Sequence, residues 1–153
     1  MDASIAIARA FVDANPNNRI TFIGHSKGGA EAIANALVTG KNAITFNPAP
    51  VNLRAISDTH GIHIRHVILN TGIHNYVVRG DVLNVLFGNS SVGSTTFLPR
   101  QHGSVWDLTM IPNILQSLLN HHHPSIVPAV RQSGLGSRIP GSITTQTAIS
   151  AGR

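Results

Sequence analysis

The stretch that decides the fold is ITFIGHSKGGAEA, residues 20–32. Its first four residues are all β-branched or aromatic, which predicts a short buried strand. After the glycines, small and apolar residues recur at helical spacing as far as Leu37, and Gly40 stands where a glycine commonly ends a helix. The stretch therefore predicts a strand, a tight glycine turn and a helix in direct succession.

The flanking sequence extends this pattern on both sides. Residues 4–14 carry Ile5, Ala8 and Phe11 at helical spacing, and residues 43–46 are a second short run that is typical of a buried strand. Helix, strand, turn, helix and strand in this order favour an α/β fold with a mostly parallel sheet and flanking helices.

The rest of the sequence is less regular. Its predicted elements are strands at 64–69 and 76–79, a short helix at 82–87, an edge strand at 95–98 and a helix at 105–119 that Pro112 should kink. From Gly134 onward Gly, Ser, Thr and Arg predominate without apolar periodicity. We therefore predict one domain over residues 1–133 and a flexible tail over 134–153.

Composition narrows the classes of function. The 153 residues are 42% hydrophobic and carry a formal net charge of +5, but the basic residues are scattered from Arg9 to Arg153. Scattered charge argues against nucleic-acid binding. The absence of cysteine excludes disulfides and thiolate sites. No signal peptide or membrane-spanning run is recognisable, so the compartment stays unknown.

Residues 24–28, Gly24-His25-Ser26-Lys27-Gly28, match the G-x-S-x-G pattern of a nucleophile elbow. Such a sharp turn places the serine in a strained backbone conformation, so Gly24 and Gly28 are expected to lack side chains for steric reasons. Ser26 would be the nucleophile, and the backbone N–H of Lys27 would stabilise an oxyanion. The alternative interpretation is a structural glycine turn, or one that holds a phosphate.

Residues 20–32, together with Phe46-Asn47-Pro48-Ala49, resemble the strand, elbow and following strand of class 3 lipases and related bacterial lipase-like domains. The resemblance covers about residues 19–52. It implies that residues 1–133 are the C-terminal portion of an α/β-hydrolase domain, a partial fold that lacks the N-terminal strands. It also implies a Ser-Asp-His triad and ester or lipid substrates. Lys27 departs from the family pattern, in which an apolar residue is commoner.

The acid of such a triad follows the serine in the chain. Asp81 is the preferred candidate because it follows the predicted strand at 76–79, at a position from which loops project functional groups. The alternative role for Asp81 is to cap the helix at 82–87. Asp58, which we place in a polar turn, ranks second.

The base should follow the acid, and four histidines do so: His102, His121, His122 and His123. Asn120-His121, followed by Ile126-Val127, resembles the family's Asn-His ending before its final helix. His121 is therefore the first choice, with His123, His122 and His102 as alternatives. A surface histidine cluster without a catalytic role is the other interpretation.

These residues predict a serine acyl hydrolase that cleaves carboxylic esters, with a lipid or phospholipid as substrate and a lipid surface as a further partner. No cofactor or metal is expected. Two alternatives stay open: a thioesterase or acyltransferase that uses the same site, and a non-catalytic domain that retains the elbow only as a turn.

The second oxyanion donor of this fold comes from a loop after an earlier strand. Only nineteen residues precede Ile20, which suffices for one helix but not for additional strands. We therefore expect an upstream segment of a longer polypeptide, or another chain, to contribute to the site. The isolated chain is expected to be weakly active.

Overall fold

The computed structural model describes residues 1–63, 72–87, 92–101 and 119–135. In chain order the helices and strands are α1 (Asp2–Ala14), β1 (Thr21–His25), α2 (Lys27–Thr39), β2 (Asn42–Phe46), α3 (Leu53–His60), β3 (Ile73–Val78), α4 (Val82–Phe87), β4 (Ser94–Leu98) and α5 (His123–Gln132). The predicted strand at 64–69 lies outside the described residues. So do nearly all of the predicted helix at 105–119 and the tail beyond residue 135.

The four strands form one parallel sheet in the order β1-β2-β3-β4. The predicted α/β fold with a parallel sheet and flanking helices is therefore confirmed. All four carboxyl ends lie at the same edge of a parallel sheet. Ser26 follows β1, Asn47 follows β2 and Asp81 follows β3 closely, so the sheet brings these three positions together.

Helices cover both faces of the sheet. On one face, Ile33 of α2 packs with Ala43 and Ile73, and α1 packs against α2. On the other face, Val78 and Leu98 pack against Ile126 and Ala129 of α5. A parallel sheet is normally covered in this way, because its strands are apolar on both sides.

Two elements differ from the sequence prediction. β3 begins at Ile73 rather than at residue 76, because His74 and Asn75 interrupt the apolar run without interrupting the strand. Placing Asp58 in a polar turn was wrong, since it lies in the helix α3. The α3 helix buries only Ile56 and is capped by the Asn52 side chain, so its apolar signal is weak.

Apolar side chains are exposed on α1 and β1. Ile7 and Phe11 of α1 and Ile23 of β1 are each more than half exposed, and β1 is at one edge of the sheet that the described strands form.

No helix among the described residues is both long and apolar enough to cross a bilayer.

The turn between β1 and α2 gives Ser26 a left-handed backbone, with φ 55° and ψ −123°. Three backbone hydrogen bonds hold it: Ser26 N–H donates to Phe46 O at 3.2 Å, and Ser26 O accepts from Ala30 N–H at 3.1 Å and from Ala49 N–H at 3.0 Å. A non-glycine residue in this region is strained, and surrounding contacts must hold it there. The strained serine expected of an elbow is therefore present.

The steric demand of the turn falls on Gly24 and Gly29, rather than on Gly24 and Gly28 as the motif suggests. A Cβ added at Gly24 would overlap the carbonyl of Gly28, and one added at Gly29 would lie 3.0 Å from Pro48. A Cβ at Gly28 would meet nothing within 4 Å. The expectation that Gly28 must lack a side chain was wrong, because a Cβ at this position would enter open space.

These glycines provide a matched pair of variants. Gly24→Ala should destabilise the fold by about 1–3 kcal/mol or more, because the new methyl group overlaps backbone that cannot rotate away. Gly28→Ala should be neutral or stabilising by up to about 1 kcal/mol, since alanine is the better helix former in α2. Urea denaturation of both variants and the parent measures the difference. Equal unfolding free energies for the two variants would contradict this account of the turn.

Candidate active site

Three of the residues selected from the sequence lie in hydrogen-bonding contact. The Nε2 atom of His121 lies 2.9 Å from Ser26 Oγ, and its Nδ1 atom lies 2.6 Å from Asp81 Oδ2. In the chain, Asp81 lies 55 residues after Ser26, and His121 lies 40 residues after Asp81. The structure thus joins Ser26, His121 and Asp81 in one continuous chain of hydrogen bonds.

The chemistry of the three groups sets the direction of these hydrogen bonds. An ionised carboxylate can only accept, so the Nδ1–H of His121 donates to Asp81. In the neutral imidazole the other nitrogen, Nε2, then accepts from the Ser26 hydroxyl. Asp81 is 1% exposed and His121 is 19% exposed at their side chains, so little water competes for the bond between them. This arrangement can draw the proton from the serine.

Asp81 makes a second contact through its other oxygen. Oδ1 accepts a hydrogen bond from Asn84 N–H at 3.0 Å, in the first turn of α4. The two interpretations of Asp81 from the sequence are therefore both compatible with the structure: one oxygen caps the helix, and the other bonds to His121. The cap restricts rotation of the carboxylate, which fixes the direction in which Oδ2 points.

His25, the elbow residue before Ser26, hydrogen-bonds to the backbone of His121. The Nε2–H of His25 donates to the carbonyl oxygen of His121 at 2.8 Å, and the two imidazole rings lie 5.2 Å apart at 34°. From the sequence, His25 was only the variable position of the elbow motif. Its position immediately before Ser26 is the one signal that could have indicated this contact.

Asn47 is a further residue of the site that motif reasoning missed. Its side-chain Nδ2 donates to Asn120 O at 2.9 Å and lies 3.4 Å from His121 O, while its Oδ1 accepts from Val78 N–H at 2.8 Å. Asn47 has a left-handed φ of 42° and is fully buried. The signal in the sequence was the Asn-Pro pair directly after a strand, which marks a turn.

The other residues selected from the sequence lie elsewhere. Lys27 begins α2, so its backbone N–H is in the first turn, where helix donors lack an intrahelical acceptor. Its side chain is exposed and lies 3.9 Å from Glu31. Asp58 is exposed and pairs with Arg54 on α3. His122 is exposed before α5, His123 is the first residue of α5, and His102 lies outside the described residues.

A cleft of about 490 Å³ lies beside the elbow, between the sheet and α5. Its apolar walls come from Ile23, Phe46, Ile126 and Val130, and Arg131 contributes a charge. Neither Ser26 nor His121 is among the described residues that line it, so the cleft does not identify the substrate. The part of the chain that the structure describes contains no group of three His, Asp or Glu residues that could hold a metal ion.

Comparison with known families gives one finding that covers most of the chain. A family model described as "Phospholipase-like: Tle-like phospholipase domain" matches residues 1–132. No curated protein matches the chain. The matched region includes all residues of the Ser26–His121–Asp81 contact.

Of the four candidate histidines, His121 is the one whose ring the described contacts place against Ser26. His121→Ala should reduce hydrolysis of a p-nitrophenyl ester by at least about 10²-fold, because it removes the nitrogen that hydrogen-bonds to Ser26 Oγ. Alanine changes at His102, His122 and His123 should each leave the rate within a few-fold of the parent. Steady-state rates of the four variants, with circular dichroism to verify folding, provide the measurement. The largest loss at any histidine other than His121 would show that His121 is not the base.

Proposed function

Because the chain belongs to the family of Tle-like phospholipase domains, we propose that it hydrolyses the carboxylic ester bonds of phospholipids. In this proposal Ser26 is the nucleophile, His121 is the general base and Asp81 orients the histidine. The family match supports a phospholipase or lipase-like hydrolase that acts on lipid esters. The proposal adds the three catalytic residues and the carboxylic ester bonds of phospholipids as the bonds that are cleaved.

The single observation that carries the assignment is the hydrogen-bond chain from Ser26 through His121 to Asp81, with distances of 2.9 and 2.6 Å. A serine hydroxyl is a weak nucleophile unless an adjacent base removes its proton. A third group must hold the base in the tautomer that leaves Nε2 free to accept. A purely structural turn requires neither contact, and this site has both.

The first half of the reaction forms an acyl-enzyme. Ser26 Oγ attacks the ester carbonyl carbon while His121 Nε2 takes the hydroxyl proton. Asp81 stabilises the resulting imidazolium through the Nδ1–H bond. The tetrahedral intermediate then collapses, the bond from carbon to the alcohol oxygen breaks, and His121 returns the proton to the departing lysophospholipid or glycerol oxygen.

The second half regenerates the serine. A water molecule gives a proton to His121 Nε2 and attacks the acyl carbon, and collapse of the second tetrahedral intermediate breaks the bond to Ser26 Oγ. His121 returns that proton to Ser26, and the fatty acid leaves. The overall reaction consumes one ester bond and one water molecule, and it requires no redox step.

The negative oxygen of both tetrahedral intermediates needs hydrogen-bond donors. We assign the Lys27 N–H as one donor, because it begins α2 beside Ser26 and lies at the positive end of the helix dipole. This assignment does not depend on the lysine side chain, which points to solvent near Glu31.

The experiment that tests the proposed function measures release of fatty acid from vesicles of phosphatidylcholine and phosphatidylglycerol. Ser26→Ala should abolish release, because it removes the nucleophilic oxygen and leaves the backbone unchanged. Ser94→Ala is the matched control, since Ser94 hydrogen-bonds to His74 on a neighbouring strand. It should retain the parent rate. Release by Ser26→Ala within a few-fold of the parent would contradict the assignment of the nucleophile.

A second variant tests the orienting carboxylate. Asp81→Asn should reduce turnover by about 10⁴-fold, because the amide allows the unproductive histidine tautomer. The unfolding free energy should change little through the helix cap, since asparagine caps helices as well as aspartate. Turnover and urea denaturation on the same samples separate the two effects. A loss of turnover that merely follows the fraction unfolded would contradict an orienting role.

A further inference from the structure

We propose that Asn47 is a positioning residue, whose side chain holds the segments that carry Asp81 and His121 at a fixed distance from Ser26. This inference rests on the proposed function, because it assigns Asn47 a purpose in the same site. Within the part of the chain that the structure describes, the Asn47 side chain makes no hydrogen bond to Ser26 Oγ, the His121 ring or the Asp81 carboxylate. Its effect on the reaction must therefore pass through the backbone of these neighbours.

The Asn47 amide joins two separate segments. Its oxygen accepts from Val78 N–H, at the end of β3 and three residues before Asp81. Its nitrogen donates to the carbonyl of Asn120, the residue before His121, at 2.9 Å. A planar amide with these two hydrogen bonds, of 2.8 and 2.9 Å, restricts the distance between the segment that carries Asp81 and the segment that carries His121.

The backbone around Asn47 connects the same residue to the nucleophile. The preceding carbonyl, Phe46 O, accepts from Ser26 N–H, and two residues further on Ala49 N–H donates to Ser26 O. Asn47 N–H itself donates to Tyr76 O on β3 at 2.8 Å. The turn at residues 46–49 therefore contacts the nucleophile segment, while the Asn47 side chain contacts the other two.

The conformation of Asn47 suits this purpose. Its φ of 42° turns the chain sharply at the end of β2, and asparagine is one of the few residues that adopt this region readily. A buried amide whose donors and acceptor are all used is rigid, because any rotation would leave polar groups unpaired. Since a displacement of about 1 Å can cost ~10²-fold in rate, this rigidity matters for the reaction.

Asn75 provides the matched control. It is a second buried asparagine, 1% exposed like Asn47, and its amide also joins two segments that are separate in the chain. Its Oδ1 accepts from Thr45 Oγ1 at 2.7 Å and its Nδ2 donates to Val92 O at 2.8 Å. Among the described hydrogen bonds, neither Thr45 nor Val92 bonds to Ser26, Asp81 or His121. Loss of the Asn75 amide should therefore cost stability without disturbing the site.

The kinetic test compares Asn47→Gly with Asn75→Ala. Glycine tolerates the left-handed backbone, so Asn47→Gly removes the amide without adding strain. We expect kcat for a p-nitrophenyl ester to fall by about 10²-fold, with KM within a few-fold of the parent. Asn75→Ala should leave both constants within a few-fold. Equal losses of kcat in the two variants would overturn the proposal.

A second readout does not depend on turnover. The His121 Nδ1 proton, in a short hydrogen bond to a carboxylate, gives a strongly deshielded proton resonance, identified by its loss in His121→Ala. Asn47→Gly should broaden or shift this resonance, and Asn75→Ala should retain it. A parent-like resonance in Asn47→Gly would overturn the proposal. If the parent shows this resonance but hydrolyses no ester, the proposed function fails while the test of Asn47 still stands.

Asn47→Asp serves if Asn47→Gly does not fold. It keeps the side-chain volume and the acceptor for Val78 N–H, and as a carboxylate it lacks the donor to Asn120 O. The same loss of kcat and the same change of resonance are expected. If neither Asn47 variant folds while Asn75→Ala does, Asn47 is a requirement for folding rather than a positioning residue, and the proposal is overturned.

Discussion

The left-handed turn at Ser26 is the constraint on which the site depends. A strained residue of this kind costs about 1–3 kcal/mol and persists only where surrounding contacts hold it. Two parts of the fold hydrogen-bond to the Ser26 backbone. One is Ala30 of the following helix, and the other is the end of β2 with the turn after it. The Ser26 backbone is therefore held by the end of β2, by the turn that follows it and by the helix α2.

The parallel sheet extends this constraint to the other two groups. Because the carboxyl ends of parallel strands lie at one edge of the sheet, the segments that follow β1, β2 and β3 lie close together. His121 enters that region from a segment distant in the chain, where His25 and Asn47 contact its backbone. His25 and Asn47 hydrogen-bond to the backbone carbonyls of this segment, while the imidazole itself bonds to Asp81 and Ser26.

Local sequence predicted the parts of this structure that depend on local interactions. Residues 20–40 specify β1, the elbow and α2, because the strand run, the glycines and the helical face are all adjacent in the chain. The α3 helix was missed because it is only eight residues long and packs few apolar side chains, Leu53 and Ile56, against the core. The need for glycine at position 29 was missed because it arises from Pro48, on the next strand's turn.

The site itself was only partly predictable for the same reason. Nothing within His121-His122-His123 distinguishes the three rings, and the choice rested on a resemblance; the structure places the first beside Asp81. The Asn-Pro pair at Asn47 indicated a turn but not its contacts, since its partners Val78 and Asn120 lie 31 and 73 residues away. The most direct test of the account is to treat the protein with a fluorophosphonate and locate the adduct by peptide mass spectrometry. The account predicts a single adduct on Ser26 that heat-unfolded protein does not form, and an adduct on another residue, or none on folded protein, would contradict it.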